Sequence, residues 1–262
     1  MDDFILETFK LAKEFKGFRA VSDVNLKIRR GSIHALIGPN GAGKTTVFNL
    51  LTKFHQPTSG RIVYNGRDIT AEQSADIARR GIVRSFQISA VFAQMTALEN
   101  VRIALQRKTG TEFHFWKSES RLRSLNERAM ELLSVVDLEK YADTLAGDLP
   151  YGRKRTLEIA TTLALDPELL LLDEPTQGMG HEDVDRVKRL IKRVSAHRTT
   201  LMVEHNMKVI ADISDTITVL QRGQILAEGP YADISLNPAV REAYMGNDGG
   251  NDGGDGDGGN DD

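Results

Sequence analysis

The sequence predicts an α/β fold: a mainly parallel sheet with helices around it, an antiparallel β subdomain at the N-terminus, and an inserted α-helical subdomain. Three observations lead to this prediction. Short apolar runs such as Ile33–Ile37 have the composition of parallel strands that are buried on both faces. Segments of helical periodicity alternate with these runs. The stretch from about 89 to 166 lacks strand patterns and repeats its apolar residues at helical spacing, which indicates a helical insertion.

The strand patterns occur at both ends of the chain. Phe4–Leu6 and Val24–Ile28 are rich in strand-forming residues, and the second alternates apolar and polar positions. Ile33–Ile37 stops at a Gly-Pro pair, as expected where a buried strand meets a loop. The remaining predicted strands are Arg61–Tyr64, Leu169–Leu172, Thr199–Val203, Ile217–Leu220 and Ile225–Ala227.

Helical spacing of apolar residues predicts the helices. The first should follow Gly43, with one apolar face formed by Val47, Leu50, Leu51 and Phe54. Further helices are predicted over 122–136, about 153–165 and 184–194. The last should have Asn237 as its N-cap and Pro238 in its first turn, and should end before Gly246.

Composition excludes several classes of protein. The 262 residues contain no Cys, so a disulfide framework, a thiolate metal site and a Cys nucleophile are all excluded. The formal net charge of −3 gives no indication of nucleic-acid binding. We see no apolar run of membrane-spanning length and no basic leader, so we expect a soluble, cytoplasmic chain. Residues 247–262 consist only of Gly, Asp and Asn, and we expect this tail to be disordered.

A phosphate-binding loop lies between the first core strand and the first helix. Residues 38–45 match G-x-x-x-x-G-K-[ST], and together with Thr46 they form the predicted nucleotide site: Gly38, Pro39, Asn40, Gly41, Ala42, Gly43, Lys44, Thr45 and Thr46. Glycines let backbone N–H groups turn toward phosphate oxygens, and the helix adds its positive N-terminal end. Lys44 should reach the β- and γ-phosphates, and the Thr45 hydroxyl should coordinate Mg²⁺.

Two carboxylates follow the four consecutive leucines of the second buried strand. Asp173 stands at the end of that strand, where a Mg²⁺ partner is expected beside the phosphate loop. Glu174 comes next and is placed to accept a proton from an attacking water. The chain therefore carries residues suited to binding a nucleotide with Mg²⁺ and to activating a water molecule beside it.

Together with five further positions, these motifs resemble the ATP-binding subunit of ABC transporters, over about residues 4–246. The resemblance implies that Gln87 contacts Mg²⁺ and the membrane subunit and takes part in catalysis. It implies that His205 senses the γ-phosphate, and that Phe15, with Phe18 as the alternative, stacks on adenine. Leu149–Arg153, with Tyr151 and Gly152, stands where the nucleotide-contacting signature belongs, and Gly178–Gly180 stands where the D-loop belongs.

The resemblance also implies a domain plan. The fold expected is a P-loop, RecA-like ATPase core over about 1–88 and 167–246, with the helical subdomain over about 89–166. Residues 1–246 would then form one nucleotide-binding domain, using ATP and Mg²⁺, followed by the tail. The expected location is the cytoplasmic face of the membrane.

The phrases Gly81–Gln87 and Met95–Val101 are most similar to ATPases of branched-chain amino-acid importers. Cassettes for urea, other amides, aromatic acids or lipopolysaccharide are alternatives, as is a soluble ABC ATPase outside transport. The implied partners are transmembrane permeases, a sister ATPase (a heterodimer is favoured over a homodimer), and indirectly a periplasmic or extracellular binding protein. Three departures from the family pattern, Pro150, Arg153 and Gly180, lie at the expected dimer interface.

Overall fold

The computed structural model describes residues 3–85, 91–108 and 119–245. In chain order its strands are β1 (Phe4–Phe15), β2 (Phe18–Val24), β3 (Lys27–Arg29), β4 (Ile33–Ile37), β5 (Ser59–Tyr64), β6 (Arg67–Asp68), β7 (Ile82–Ser85), β8 (Leu169–Asp173), β9 (Thr199–Val203), β10 (Thr216–Gln221) and β11 (Gln224–Gly229). The helices are α1 (Lys44–Leu51), α2 (Ser74–Arg79), α3 (Ala97–Lys108), α4 (Glu119–Val135), α5 (Tyr151–Ala164), α6 (His181–Ser195), α7 (Met207–Ile213), α8 (Tyr231–Leu236) and α9 (Pro238–Met245).

The central sheet has six strands in the order β11-β10-β4-β9-β8-β7. Every neighbouring pair is parallel except β10 with β11, which form an antiparallel hairpin at one edge. The strands β4, β8 and β9 lie side by side, and all their residues are buried. Their carboxyl ends therefore meet at one edge of the sheet, where ligands bind in open α/β folds.

A second sheet is antiparallel and comes from the N-terminal part of the chain. Its order is β2-β1-β5-β6, and β3 also pairs with β1. Alternating residues of each central strand face opposite cores. Leu36, Leu171 and Leu201 pack with α1 and the antiparallel sheet. Ala35, Leu170 and Met202 pack with a cluster that includes apolar residues of α3 to α6.

The predicted fold class is confirmed, and the differences are local. The strands β2, β6 and β7 and the helices α2, α3, α7 and α8 were not individually predicted. The predicted strand Val24–Ile28 is divided between the end of β2 and the start of β3. The predicted apolar face of α1 is wrong at Phe54, because the helix ends at Leu51 and the Phe54 side chain is 56% exposed. The backbone of Lys53 has a φ of 59°, which a continuing helix does not allow. Within the described segments, no helix is long and apolar enough to cross a membrane.

Candidate nucleotide-binding site

The phosphate loop joins the end of β4 to the start of α1. Gly38 has a φ of 149°, and a Cβ there would stand 2.1 Å from the carbonyl oxygen of Leu220. Gly43 has a φ of 103°, and its Cβ would stand 2.7 Å from the carbonyl oxygen of Ala20. These two positions therefore require glycine on both backbone and steric grounds.

The turn between β10 and β11 supports this loop from one side. The Gly223 N–H donates to the Ala42 carbonyl at 2.9 Å, and the Gly223 carbonyl accepts from the Ser22 N–H at 2.8 Å. The C-terminal helix α9 reaches the same place, since Tyr244 lies against the Gly38 backbone. Burial raises the pKa of Tyr244 to about 12. The loop conformation thus depends on segments from both ends of the chain.

Lys44 is the cation of the loop. Its Nζ donates to the carbonyl oxygens of Gly38 at 2.6 Å and Pro39 at 3.0 Å. Burial lowers the pKa of Lys44, and the nearby charges of Glu174 and Asp173 oppose that shift. The ammonium therefore lies within the loop and within electrostatic reach of both carboxylates.

Asp173 ends β8 and is 2% exposed. Its Oδ2 forms an ion pair with the guanidinium of Arg84 on the neighbouring strand β7. The Arg84 Nη1 also donates to Asn49 Oδ1 at 2.6 Å, on the helix that follows the phosphate loop. The carboxylate predicted to bind Mg²⁺ is thus already paired with the guanidinium of Arg84.

Glu174 and His205 face each other at the carboxyl ends of β8 and β9. The distance from His205 Nδ1 to Glu174 Oε1 is 4.0 Å. Glu174 has a φ of 47°, and its N–H donates to the Val203 carbonyl at 2.9 Å. A left-handed backbone at a Glu is uncommon, and such strain is concentrated at functional sites.

The neighbouring Glu204 organises the loop that carries His205. It is 1% exposed, and its carboxylate accepts backbone N–H groups from Thr176, His205 and Asn206 at 3.1–3.3 Å. Glu204 therefore ties the turn after Glu174 to the turn that presents His205. The sequence signal for this role is a carboxylate directly after an apolar strand, but Glu204 was given no role in the prediction.

The oxygen donors present suit Mg²⁺ that arrives with a nucleotide. Among the described residues, no three His, Cys, Asp or Glu side chains cluster as a metal site. Mg²⁺ usually keeps several waters and is held by one or two carboxylates plus phosphate oxygens. A hydroxyl at the first turn of α1 and one buried carboxylate at the end of β8 fit that donor set.

Phe15 ends β1 at the tip of the hairpin with β2. Its ring is 37% exposed and meets His55 edge-on, with ring centroids 5.2 Å apart. Phe18 lies opposite Phe15 in the register and is 69% exposed. The Lys13 Nζ lies over the Phe15 ring, 5.0 Å from its centroid. The choice between Phe15 and Phe18 stays a prediction.

The predicted signature residues lie at the N-terminus of α5 and pack toward α6. The Tyr151 hydroxyl donates to the Gln177 carbonyl at 3.2 Å. A Cβ on Gly152 would stand 2.6 Å from the carboxylate of Asp183, so a side chain here would require Asp183 to move. Pro150 is the N-cap of α5, and its carbonyl accepts the N–H groups of Arg153 and Lys154 at 2.9 Å.

Arg153 turns away from the end of α5. Its guanidinium lies 4.7 Å from the centroid of the Tyr141 ring and donates to the Asp137 carbonyl at 2.9 Å. The predicted site residue Gln87 lies outside the described residues. Two further residues without a predicted role contact the site. Arg84 holds Asp173, and the buried Arg155 of α5 donates to the carbonyls of Asp173 and Glu174, each at 3.2 Å.

The chain is similar in sequence to proteins of known families. The family described as ABC transporter matches residues 21–177, and the family described as branched-chain amino acid ATP-binding cassette transporter matches residues 224–249. The chain is 43% identical to the high-affinity branched-chain amino acid transport ATP-binding protein BraF of Pseudomonas aeruginosa, over 92% of this chain and 98% of the relative. It is 40% identical to the corresponding protein LivG of Escherichia coli, over 94% of this chain and 99% of the relative. The chain therefore belongs to the ATP-binding subunits of ABC transporters.

Solved structures agree with this assignment. A nucleotide-free ATP-binding cassette from an ABC transporter matches with a TM-score of 0.81 at 29% identity, covering 92% of this chain and 98% of that one. A cassette in its ADP conformation matches with a TM-score of 0.82 at 29% identity, covering 93% and 99%. The P-loop ATPase fold, the binding of a nucleotide and the ATPase class predicted from the sequence are confirmed.

Proposed function

We propose that this chain hydrolyses ATP to power the import of branched-chain amino acids, on the cytoplasmic face of a membrane and together with transmembrane permease subunits. The observation that carries the substrate class is the similarity to BraF and LivG over nearly the whole of each chain. The match at 224–249 supports it independently, because that segment lies outside the match to the general transporter family.

The nucleotide would bind across the end of the central sheet. The backbone N–H groups of residues 38–46 would receive the phosphates, and Lys44 would exchange its carbonyl partners for phosphate oxygens. Phe15 would stack on the base. Thr45 and Asp173, with Gln87 from the next segment, would hold Mg²⁺, which when bound supplies positive charge to the phosphates.

Glu174 would act as the general base and His205 would contact the γ-phosphate. The arrangement favours these roles because Glu174 is 19% exposed at the side chain, whereas His205 is 59% exposed at 4.0 Å from it. The carboxylate therefore sits at the edge of the site, where it can remove a proton from water, and the imidazole can reach a ligand in front of it.

The signature loop at the start of α5, with Tyr151 and Gly152, would serve the nucleotide of a second ATPase subunit. Pro150 supplies neither a hydroxyl nor an N–H, so this half of the composite site lacks one hydrogen bond that the family pattern provides. A hydrogen bond to a charged group contributes about 1.5–3 kcal/mol. We therefore favour a heterodimer with a sister ATPase, in which this chain's Lys44, Glu174 and His205 form the more active site.

Uptake in cells tests the substrate. Deleting the gene for this chain should abolish high-affinity uptake of labelled leucine, isoleucine and valine, and supplying the chain should restore it. Supplying the Glu174→Gln variant should fail, whereas the exposed Glu182→Gln variant should restore uptake as the wild type does. Loss of urea or benzoate uptake instead would assign a different cassette, and unchanged uptake of all solutes would contradict the transport role.

Purified components test the pairing. Lys44→Ala in this chain should reduce transport more than the same change at the partner's equivalent lysine. Equal effects, or full activity of a homodimer of this chain, would refute the heterodimer.

A further inference from the structure

Arg84 is a buried cation that the proposed hydrolysis does not use. It lies on β7, its side chain is 9% exposed, and its guanidinium packs 5.4 Å from the centroid of the Phe48 ring. Nη1 donates to Asn49 Oδ1 at 2.6 Å, and Nη2 pairs with Asp173 Oδ2. Arg84 therefore connects three segments that meet at the site: the helix after the phosphate loop, its own strand, and the strand that ends at Asp173.

The pair balances a charge that burial would otherwise penalise. Asp173 is 2% exposed, and an ionised carboxylate at that depth requires a cation or several hydrogen-bond donors. Lys44 influences Asp173 through space, but its ammonium is engaged with the carbonyls of Gly38 and Pro39. Within the described part of the chain, Arg84 is the ion-pair partner recorded for Asp173.

A metal ion at the same carboxylate would compete electrostatically with this partner. The guanidinium occupies Oδ2, and a guanidinium and a divalent cation at one carboxylate repel each other. We propose that Arg84 is an exchangeable counter-ion: it holds Asp173 in the nucleotide-free protein and must release it, wholly or in part, when Mg²⁺ and a nucleotide bind. This rests on the proposed role of Asp173. Arg84 is then a positioning residue that sets how much Mg²⁺ the site requires.

Arg84→Gln separates this role from a merely structural one. Thermal unfolding is measured without ligand, with ADP and EDTA, and with ADP and a series of Mg²⁺ concentrations, so that no hydrolysis intervenes. The variant should melt lower than wild type without ligand, because Asp173 loses its partner. Adding Mg²⁺ should then raise the melting temperature of the variant more than that of wild type. The half-saturating Mg²⁺ concentration with ADP bound should be lower by about tenfold or more.

Two controls define the comparison. Arg80→Gln removes a different ion pair, with Glu72 at 2.6 Å, and should lower the melting temperature without changing the Mg²⁺ requirement. Arg84→Lys keeps the positive charge and should keep the Mg²⁺ requirement near that of wild type. If Arg84→Gln shows the wild-type Mg²⁺ dependence, Arg84 only stabilises the fold and the proposal is wrong.

A double variant keeps the test decisive if Arg84→Gln fails to fold. Adding Asp173→Asn removes the uncompensated charge, so the double variant should recover folding, and failure to recover would overturn the proposal. Failure of the proposed function is a separate result: wild-type protein would show neither Mg²⁺-dependent nucleotide binding nor ATP hydrolysis. If the wild-type protein hydrolyses ATP and the Arg84→Gln variant shows the wild-type Mg²⁺ dependence, only the counter-ion role is contradicted.

Discussion

The phosphate-loop side and the signature side of this molecule differ in how closely they follow the family pattern. On the first side, the loop glycines, Lys44, Asp173 and Glu174 are all present and close together. On the second, Pro150 replaces the expected Ser and Arg153 is turned toward Tyr141. In the dimer proposed above, each half would act on a different nucleotide, so the comparison teaches that the two halves can be under separate constraints.

The largest expected effect is at Lys44. Lys44→Ala should abolish transport and weaken ATP binding strongly, because the ammonium offsets phosphate charge inside a partly buried loop. Nucleotide titration measures it. The matched control is Lys154→Ala on the signature side, where Nζ also donates to a backbone carbonyl, that of Gly147 at 2.7 Å. Comparable losses of ATP affinity in both variants would erase the difference between the two sides.

Glu174→Gln should keep ATP binding and reduce hydrolysis by about 10² or more, as expected for loss of a general base. It should also trap the closed dimer in the presence of ATP. Steady-state phosphate release and gel filtration provide the two measurements. Wild-type turnover would remove Glu174 from catalysis and leave the phosphate-loop side without a base.

Acid should destabilise the protein through His34 on β4, the strand beneath the phosphate loop. Burial lowers the pKa of His34 to about 4 from 6.5, so the unfolded chain binds the proton first as the pH falls. Stability is therefore lost progressively from about pH 6.5 toward pH 4, with about 2 kcal/mol lost by about pH 5.

Urea unfolding at several pH values measures this loss. The variant His34→Gln should lose stability less steeply over that range, whereas exposed His197→Gln should follow wild type. Identical slopes for wild type and His34→Gln would show that other groups govern the acid response.

Pro150→Ser should have a smaller effect and raise the ATPase rate of the chain alone about tenfold, the lower end of what a hydrogen bond to a charged group contributes. Serine is also a better N-cap for α5 than proline, so the melting temperature should rise slightly. Pro150→Ala separates the contribution of the backbone N–H from that of the hydroxyl, because alanine restores the N–H alone. If neither variant changes hydrolysis, Pro150 does not limit the composite site.

The smallest effect should come from removing residues 247–262. Gly, Asp and Asn cannot supply a core, so melting temperature and ATPase rate should stay at wild-type values. A longer truncation from residue 238 removes α9 with its buried Val240, and should lower the melting temperature clearly. A large loss from the short truncation would show that the tail docks on the domain.

Sequence patterns predicted the buried strands and the phosphate loop because both are local. Four consecutive leucines are sufficient to indicate β8, and the loop motif fixes the site at the end of β4. The Arg84–Asp173 pair was not predictable in this way, because it depends on β7 being the neighbour of β8. The strand β7 was itself missed.

The support of the phosphate loop by Gly223 has a consequence for synthesis of the protein. A ribosome makes the loop early and the hairpin that supports it late. A nascent chain that has not yet reached this hairpin carries the complete motif without the contacts that fix its backbone. We therefore expect nucleotide affinity to be acquired only as the last part of the domain emerges.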